Sequence, residues 1–202
     1  MKFLFKASDS PVRLTTHMVL GTPVDLEPTG SQQAIHLAAG CFWGVEKAMW
    51  SLPGVVATAT GYMGGDVESP TYEQVCTRAT GHAETVRVVF DADLLAPDRL
   101  IASFFEIHDP TQADGQGNDV GPQYRSAIWT TTPDQAEAAV RVRDAYGREL
   151  AERGFGPITT TIAPAAEAGP FWYAEDYHQQ YLFKNPGGYE CHARTGIPCP
   201  LS

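Results

Sequence analysis

Hydrophobic and polar positions along this chain follow two periods, and the switches between them mark its elements. Residues 33–39, around Ala34-Ile35-His36-Leu37-Ala38-Ala39, form an apolar stretch that reads as a buried strand. Val45, Ala48, Met49 and Leu52 then recur at helical spacing, which predicts a helix over 41–52 ended by Pro53-Gly54. Residues 55–60 are a second strand, and residues 84–90 alternate with period two as a third. Pro97 opens a helix whose Leu100, Ile101, Phe104 and Phe105 face the core, and Asp109-Pro110 stops it. A strand over 126–130 is followed by Thr132-Pro133-Asp134-Gln135, a capping box starting a helix that Gly154 ends after Arg153. Residues 158–162 read as the last strand and 175–183 as a short helical piece. The order β-α-β, β-α-β, α-β predicts an α/β (α+β) chain: a ferredoxin-like two-layer sandwich of split βαβ units with long loops and an irregular tail.

Residues 1–30 hold three prolines and little periodicity, so 1–32 reads as an arm laid over the domain. Residues 33–184 form the catalytic domain and 185–202 a flexible, Gly/Pro-rich tail. A chain of 202 residues with 43% apolar content suffices for one core. The net charge of −10, with scattered basic residues, reads as a solvated surface and argues against nucleic acid or an anionic membrane as partner. No run reaches the roughly 18 apolar residues of a spanning helix, and the N-terminus lacks the apolar region of a signal peptide. The expectation is a cytoplasmic monomer.

Four cysteines (Cys41, Cys76, Cys191 and Cys199) are too few for a disulfide-stapled scaffold. Cys41 falls where the first strand gives way to the first helix, and the free N–H groups and dipole there favour a thiolate. The alternative is an inert buried cysteine. The polar loops 61–83 and 111–125 are long enough to build a site. The first brings Tyr72 and ends at Glu84; the second brings Asp119 and Tyr124. Beside a thiolate, a carboxylic acid can donate a proton and two phenols can hold a developing oxyanion. Taken singly, each tyrosine reads as a rim residue, and Glu84 reads equally well as a solvent-facing strand residue.

The chain resembles the A-type peptide methionine sulfoxide reductases of the three-cysteine bacterial kind. The resemblance rests on Gly40-Cys41-Phe42-Trp43-Gly44, Thr80-Gly81-His82-Ala83-Glu84, Asn118-Asp119, Gln123-Tyr124-Arg125-Ser126 and Ala174-Glu175-Asp176-Tyr177-His178-Gln179-Gln180-Tyr181, in the family's order over residues 33–199. It implies that Cys41 attacks the sulfoxide sulfur, that Phe42 and Trp43 receive the substrate methyl, and that Glu84 protonates the oxygen. Tyr72 and Tyr124 would hydrogen-bond that oxygen, and Asp119 would act through a water. The product would be methionine and a sulfenic acid on Cys41. The S epimer would be the substrate, in proteins or as the free residue. Cys191 would resolve the sulfenic acid and Cys199 would attack Cys191, with thioredoxin or another dithiol as external reductant and no bound cofactor or metal. Glu190 stands between Tyr189 and Cys191, where several members have tyrosine directly before cysteine, which leaves the order of attack open. Cys76 matches no family role and reads as a bystander thiol.

Two other readings use the same residues. A zinc module could draw on Cys76, His82, His178, Cys191, His192 and Cys199, though no pair has close zinc-type spacing. A thiol peroxidase or peroxide sensor also needs a reactive cysteine and a resolver, but peroxide has no methyl for Phe42 and Trp43 to seat.

Overall fold

The computed structural model describes residues 15–191 and 193–201. In chain order the elements are β1 (Gln32–Ala39), α1 (Phe42–Trp50), β2 (Val55–Met63), α2 (Tyr72–Cys76), β3 (Ala83–Asp91), α3 (Pro97–Glu106), β4 (Gly115–Gln116), β5 (Asp119–Val120), β6 (Ser126–Thr130), α4 (Pro133–Glu152), β7 (Thr161–Pro164), β8 (Trp172–Tyr173) and α5 (Tyr181–Lys184). Six strands form one mixed sheet in the order β7-β6-β1-β3-β2-β8, and β4 and β5 form a small hairpin. All neighbours in the large sheet are antiparallel except β6 and β7. Leu37 at the centre pairs with Val86 on one side and Ile128 on the other.

The main core lies between the sheet and one layer of helices. Ile35, Leu37, Val86, Val88, Phe90 and Ile128 from the sheet meet residues of α1, α3 and α4 there. The opposite face is not left to solvent. Met63, Ala83 and Trp129 are covered by Ala163, Ala165, Ala168 and Phe171, while Val89 meets Leu26 and Val56. The strand predicted to alternate is therefore buried on both faces, because irregular segments cover what a plain two-layer sandwich would expose. Val24 and His17 are also nearly inaccessible, and His17 lies on the helix side, bonded to Thr58 and packed edge-on against Trp50 of α1. Of the predicted arm, residues 1–14 lie outside the described residues.

Several boundaries differ from the expectation. β2 continues through Gly61-Tyr62-Met63, which reads as the start of a loop in sequence. Gly61 is needed there for another reason: a Cβ would stand 2.4 Å from the Trp172 carbonyl oxygen, so glycine lets β8 pair. Within the first loop, α2 forms behind a complete Thr71–Gln74 capping box. The box predicted at Thr132 is half made. Thr132 caps Gln135, but the Gln135 side chain reaches Thr131, Gln33 and Ala34 instead. The last parallel strand starts at Thr161 rather than 158, since Thr159 is hydrogen-bonded to Pro110. The helical piece at 175–183 is reduced to α5, because Gln180 adopts a left-handed conformation (φ 48°) that breaks the helix before it.

Candidate active site

β1 delivers Cys41 through Gly40, whose φ of 88° and 2.8 Å approach of a hypothetical Cβ to the Gln116 side chain exclude other residues. Cys41 is the N-cap of α1, as its place in the sequence implies, and it is 8% exposed. Its thiol is nevertheless pushed well above the usual range. Burial is the main cause, and the Glu84 carboxylate adds to it, outweighing the hydrogen bond from the Trp43 backbone. A thiolate stabilised by the helix end alone is thus not the resting state.

Glu84 shares the helix-side face of β3 with Val86, Val88 and Phe90, the consequence of period-two alternation. It is 2% exposed, and its Oε2 accepts the Phe42 backbone N–H at 3.0 Å. Burial raises its pKa to about 8, opposed by that hydrogen bond and aided by Asp119. The solvent-facing alternative for Glu84 does not hold.

Tyr72 and Tyr124 converge on the same carboxylate. Both phenols are raised, first by burial and next by the Glu84 charge. They are therefore neutral hydrogen-bond donors at physiological pH. Tyr72 begins α2, and its ring packs on His178 with centroids 4.6 Å apart. Tyr124 ends a short 3-10 turn over Pro122–Tyr124. Asp119, in the β4–β5 hairpin, accepts the Tyr189 hydroxyl at 3.0 Å. Cys76 is exposed, and its side chain is hydrogen-bonded to Tyr72.

Phe42 and Trp43 differ in setting. Phe42 is 1% exposed and lies in the main core against Tyr62 and His178. Trp43 is half-buried, donates Nε1–H to His178 Nδ1 at 3.0 Å and stacks on Tyr181 at 3.8 Å. His178 is itself held neutral, its pKa lowered to about 4 by burial. Glu175 ties the assembly together, accepting the Tyr62 hydroxyl at 2.8 Å and the Tyr72 N–H at 2.9 Å. Residue-by-residue reading gave no role to Tyr62, Glu175 or Tyr189, and named His178 only as a possible zinc ligand. The one signal that set Glu175 and His178 beside this site was their place in the Ala174–Tyr181 motif.

The two tail cysteines are separated. Cys191 Sγ lies 3.5 Å from the Gln116 carbonyl oxygen, and it lines with Cys41 a cavity of about 10 Å³, room for about one water molecule. Cys199 is buried in the main core, its N–H 2.6 Å from Glu106 Oε1. The Tyr146 hydroxyl anchors the approach to it, bonding Thr195 Oγ1 at 2.6 Å and the Ile197 carbonyl at 2.9 Å. The part of the tail described here is thus docked on the domain at both ends, rather than loose as its composition predicts. Among the described residues no three His, Cys, Asp or Glu come together as a metal cluster; His192 lies outside them.

This geometry of a buried thiol, a proton-holding carboxyl, two phenols and an aromatic wall coincides with a family match over residues 33–198, to the model of peptide methionine sulfoxide reductase. The chain belongs to the peptide methionine sulfoxide reductase family. The Caulobacter vibrioides peptide methionine sulfoxide reductase MsrA 1 is 53% identical over 86% of this chain and 78% of its own. The structure of methionine sulfoxide reductase A of Corynebacterium diphtheriae superposes with a TM-score of 0.84 at 44% identity, covering 98% of this chain and 95% of that one. Mxr1 from Saccharomyces cerevisiae in reduced form gives 0.76 at 31%, covering 84% and 95%. Mxr1 in complex with Trx2 shares the fold at 19% identity (TM-score 0.55, covering 84% and 95%). This chain is therefore an oxidoreductase, a peptide-methionine (S)-S-oxide reductase, with a mixed α/β fold like that of the solved reductases. Among its described residues no helix is long and apolar enough to cross a membrane.

Proposed function

We propose that this reductase uses Cys41 as nucleophile, Glu84 as general acid and Cys191 as first resolver, acting on the S epimer of methionine sulfoxide in proteins and as the free residue. The observation that carries the reading is the buried Glu84 carboxyl, bonded to the N–H of the residue after Cys41, with Cys191 across a one-water cavity. Tyr72 and Tyr124 supply donors to the sulfoxide oxygen, while Trp43, over a floor made by Phe42, seats the methyl. Asp119 orients a water at the same oxygen.

Cys41 and Glu84 share one proton in the reactive state. The thiolate form of Cys41 attacks sulfur while the acid form of Glu84 protonates the oxygen. The oxygen passes to Cys41 as hydroxyl, the thioether of methionine leaves, and Cys41 is a sulfenic acid. The Cys191 thiol then forms an S–S bond with Cys41 and water departs. Cys199 next attacks Cys191, and Cys41 leaves as a thiol. A thioredoxin-type dithiol reduces the Cys191–Cys199 disulfide; that the yeast relative Mxr1 is solved with Trx2 supports this partner.

The burial of Cys199 adds a condition to the cycle. It must leave its seat before it meets Cys191, so the Tyr146 bonds act as a latch. Tyr146→Phe removes both bonds, which together contribute about 1–2 kcal/mol, and is expected to speed transfer of the disulfide from Cys41–Cys191 to Cys191–Cys199. Acid quenching followed by disulfide mapping reads the rate; an unchanged rate removes the latch.

The shared proton also predicts a pH profile. Below about 8 both groups hold protons, so single-turnover kcat/KM rises with pH toward the Glu84 value of about 8. It falls again at the raised pKa of Cys41, where the pair loses its last proton. A rate already falling between pH 7 and 8 contradicts this assignment.

We read residues 33–184 as the catalytic domain, 1–32 as an N-terminal arm and 185–202 as the resolving tail. The inner strand order β6-β1-β3-β2 supports a ferredoxin-like description of the domain's centre. We read the protein as a cytoplasmic monomer, on composition. The test of the whole reading supplies a methionine-S-sulfoxide peptide, its R epimer and hydrogen peroxide to the wild type and to Cys41→Ser. Consumption of the S epimer alone, lost in the variant, supports it; consumption of peroxide but neither epimer replaces it with a thiol peroxidase.

A further inference from the structure

Glu46 is a fully buried carboxylate to which the reaction assigns nothing. It sits on α1 five residues after Cys41, and its side chain is hydrogen-bonded to Gln180 in the chain that follows β8. Its Oε2 accepts the Gln180 backbone N–H at 2.8 Å, and its Oε1 accepts Gln180 Nε2 at 3.0 Å and the Thr58 hydroxyl at 3.2 Å. Thr58 in turn meets His17 Nε2 at 2.8 Å. The His17 tautomer follows from its other nitrogen: Nδ1 accepts the N–H groups of Val19 and Leu20, so the proton is on Nε2 and is donated to Thr58. Every group facing the carboxylate is a donor.

Gln180 is where this arrangement bears on the pocket. It is a non-glycine residue at φ 48°, a strained conformation that persists only when its surroundings impose it. On one side of it, His178 accepts the Trp43 indole N–H; on the other, Tyr181 stacks on the Trp43 ring. Gln179 is pinned separately to Thr60 and Ala174. The turn at Gln180 therefore sets the spacing between the two side chains that hold Trp43.

We infer that Glu46 is a positioning residue for substrate binding, which fixes the Trp43 wall of the pocket by holding Gln180 in its left-handed turn. The inference rests on the reading of Trp43 as the seat of the substrate methyl. A carboxylate is a costly way to fill a core, since burial pushes its pKa up to about 7 against the hydrogen bonds that favour its charge. An apolar residue would pack there at lower cost but would leave the Gln180 N–H without an acceptor. The charge therefore serves geometry rather than stability.

The test uses Glu46→Met, which keeps the length of the side chain and removes every acceptor. It is expected to raise KM for a methionine-S-sulfoxide peptide about tenfold while kcat stays within about twofold, the mark of lost uniform binding. Trp43 emission, isolated by subtracting spectra in a Trp43→Phe background, is expected to shift to the red. Gln180→Leu removes one of the two arms and keeps the backbone N–H, so a smaller rise in KM is expected, and it serves if Glu46→Met does not fold. Thr58→Val, which loses the other partner of the carboxylate without touching Gln180, is expected to lower thermal stability and leave KM unchanged. Unchanged KM and emission in Glu46→Met and Gln180→Leu overturn the inference, as does a rise in KM in Thr58→Val equal to that in Glu46→Met. The emission readout needs no turnover, so absence of sulfoxide reduction in the wild type would count against the proposed function and not against the Glu46–Gln180–Trp43 linkage.

Discussion

Glu84→Gln is expected to slow the single-turnover reduction of a methionine-S-sulfoxide peptide by about 10²–10⁴-fold, the range a positioned general acid supplies. The substitution is close to isosteric, and the amide oxygen can still accept the Phe42 N–H that Glu84 accepts now. The strand, the cap of α1 and the position of Cys41 are therefore kept. What is lost is a proton the group can release: an amide can hydrogen-bond the sulfoxide oxygen but cannot protonate it. A second change accompanies the first. The Glu84 charge is the largest contribution after burial to the raised pKa of Cys41, so its removal lets the thiol ionise at lower pH. Rapid-quench kinetics measure the rate, and the pH dependence of iodoacetamide alkylation measures the thiol. A slower enzyme with a more readily ionised nucleophile would separate proton donation from nucleophile activation. A full single-turnover rate would remove Glu84 as the acid.

Cys191→Ser is expected to produce one equivalent of methionine per enzyme and then stop when the reductant is a protein dithiol. Cys191 and Cys41 line the same cavity, so in the proposed cycle resolution is intramolecular, with an effective concentration far above that of an external thiol. Steady-state turnover should fall at least about 100-fold on that ground, while the first turnover keeps its wild-type rate. Cys199→Ser is the contrasting variant. It completes the same first turnover and accumulates the Cys41–Cys191 disulfide, because the thiol that would displace Cys41 is gone. Mass spectrometry of quenched samples distinguishes the sulfenic acid of the first variant from the disulfide of the second. If Cys199→Ser accumulates sulfenic acid instead, Cys199 resolves first, and the core-buried seat seen here would have to open before resolution rather than after it.

The elements that carry the site were legible because their patterns are local. The apolar run of β1, the helical spacing after Cys41 and the alternation before Phe90 each place a residue on an element without reference to the rest of the chain. Cys41 at a strand-to-helix junction followed from that alone, and the aromatic pair beside it came with the same short run. The two long polar loops suggested the grouping of Tyr72, Glu84, Asp119 and Tyr124, residues that lie far apart along the chain, and the resemblance implied their roles.

What the pattern could not decide was burial and polar partnership, which depend on what packs across a gap. Glu84 and Glu46 are charged letters in half-polar contexts, and both prove to be buried. One lies on the helix-side face of an inner strand, and the other is enclosed by Thr58, Gln180 and the His17 segment. Gly61 looks like a breaker and is a strand residue, because another backbone needs the space of its missing side chain. The tail composition implies freedom, yet Tyr146 and Glu106 hold one end and the Lys47–Glu190 ion pair at 2.6 Å holds the other. The sequence by itself determined the principal strands and helices, the place of Cys41 between β1 and α1 and the family, because short-range periodicity and motif spacing are written along the chain. The tertiary structure alone decided which carboxylates are dry, which tail cysteine lines a cavity with Cys41 and which is buried in the core, because desolvation and hydrogen bonding are set by neighbours that sequence distance does not reveal.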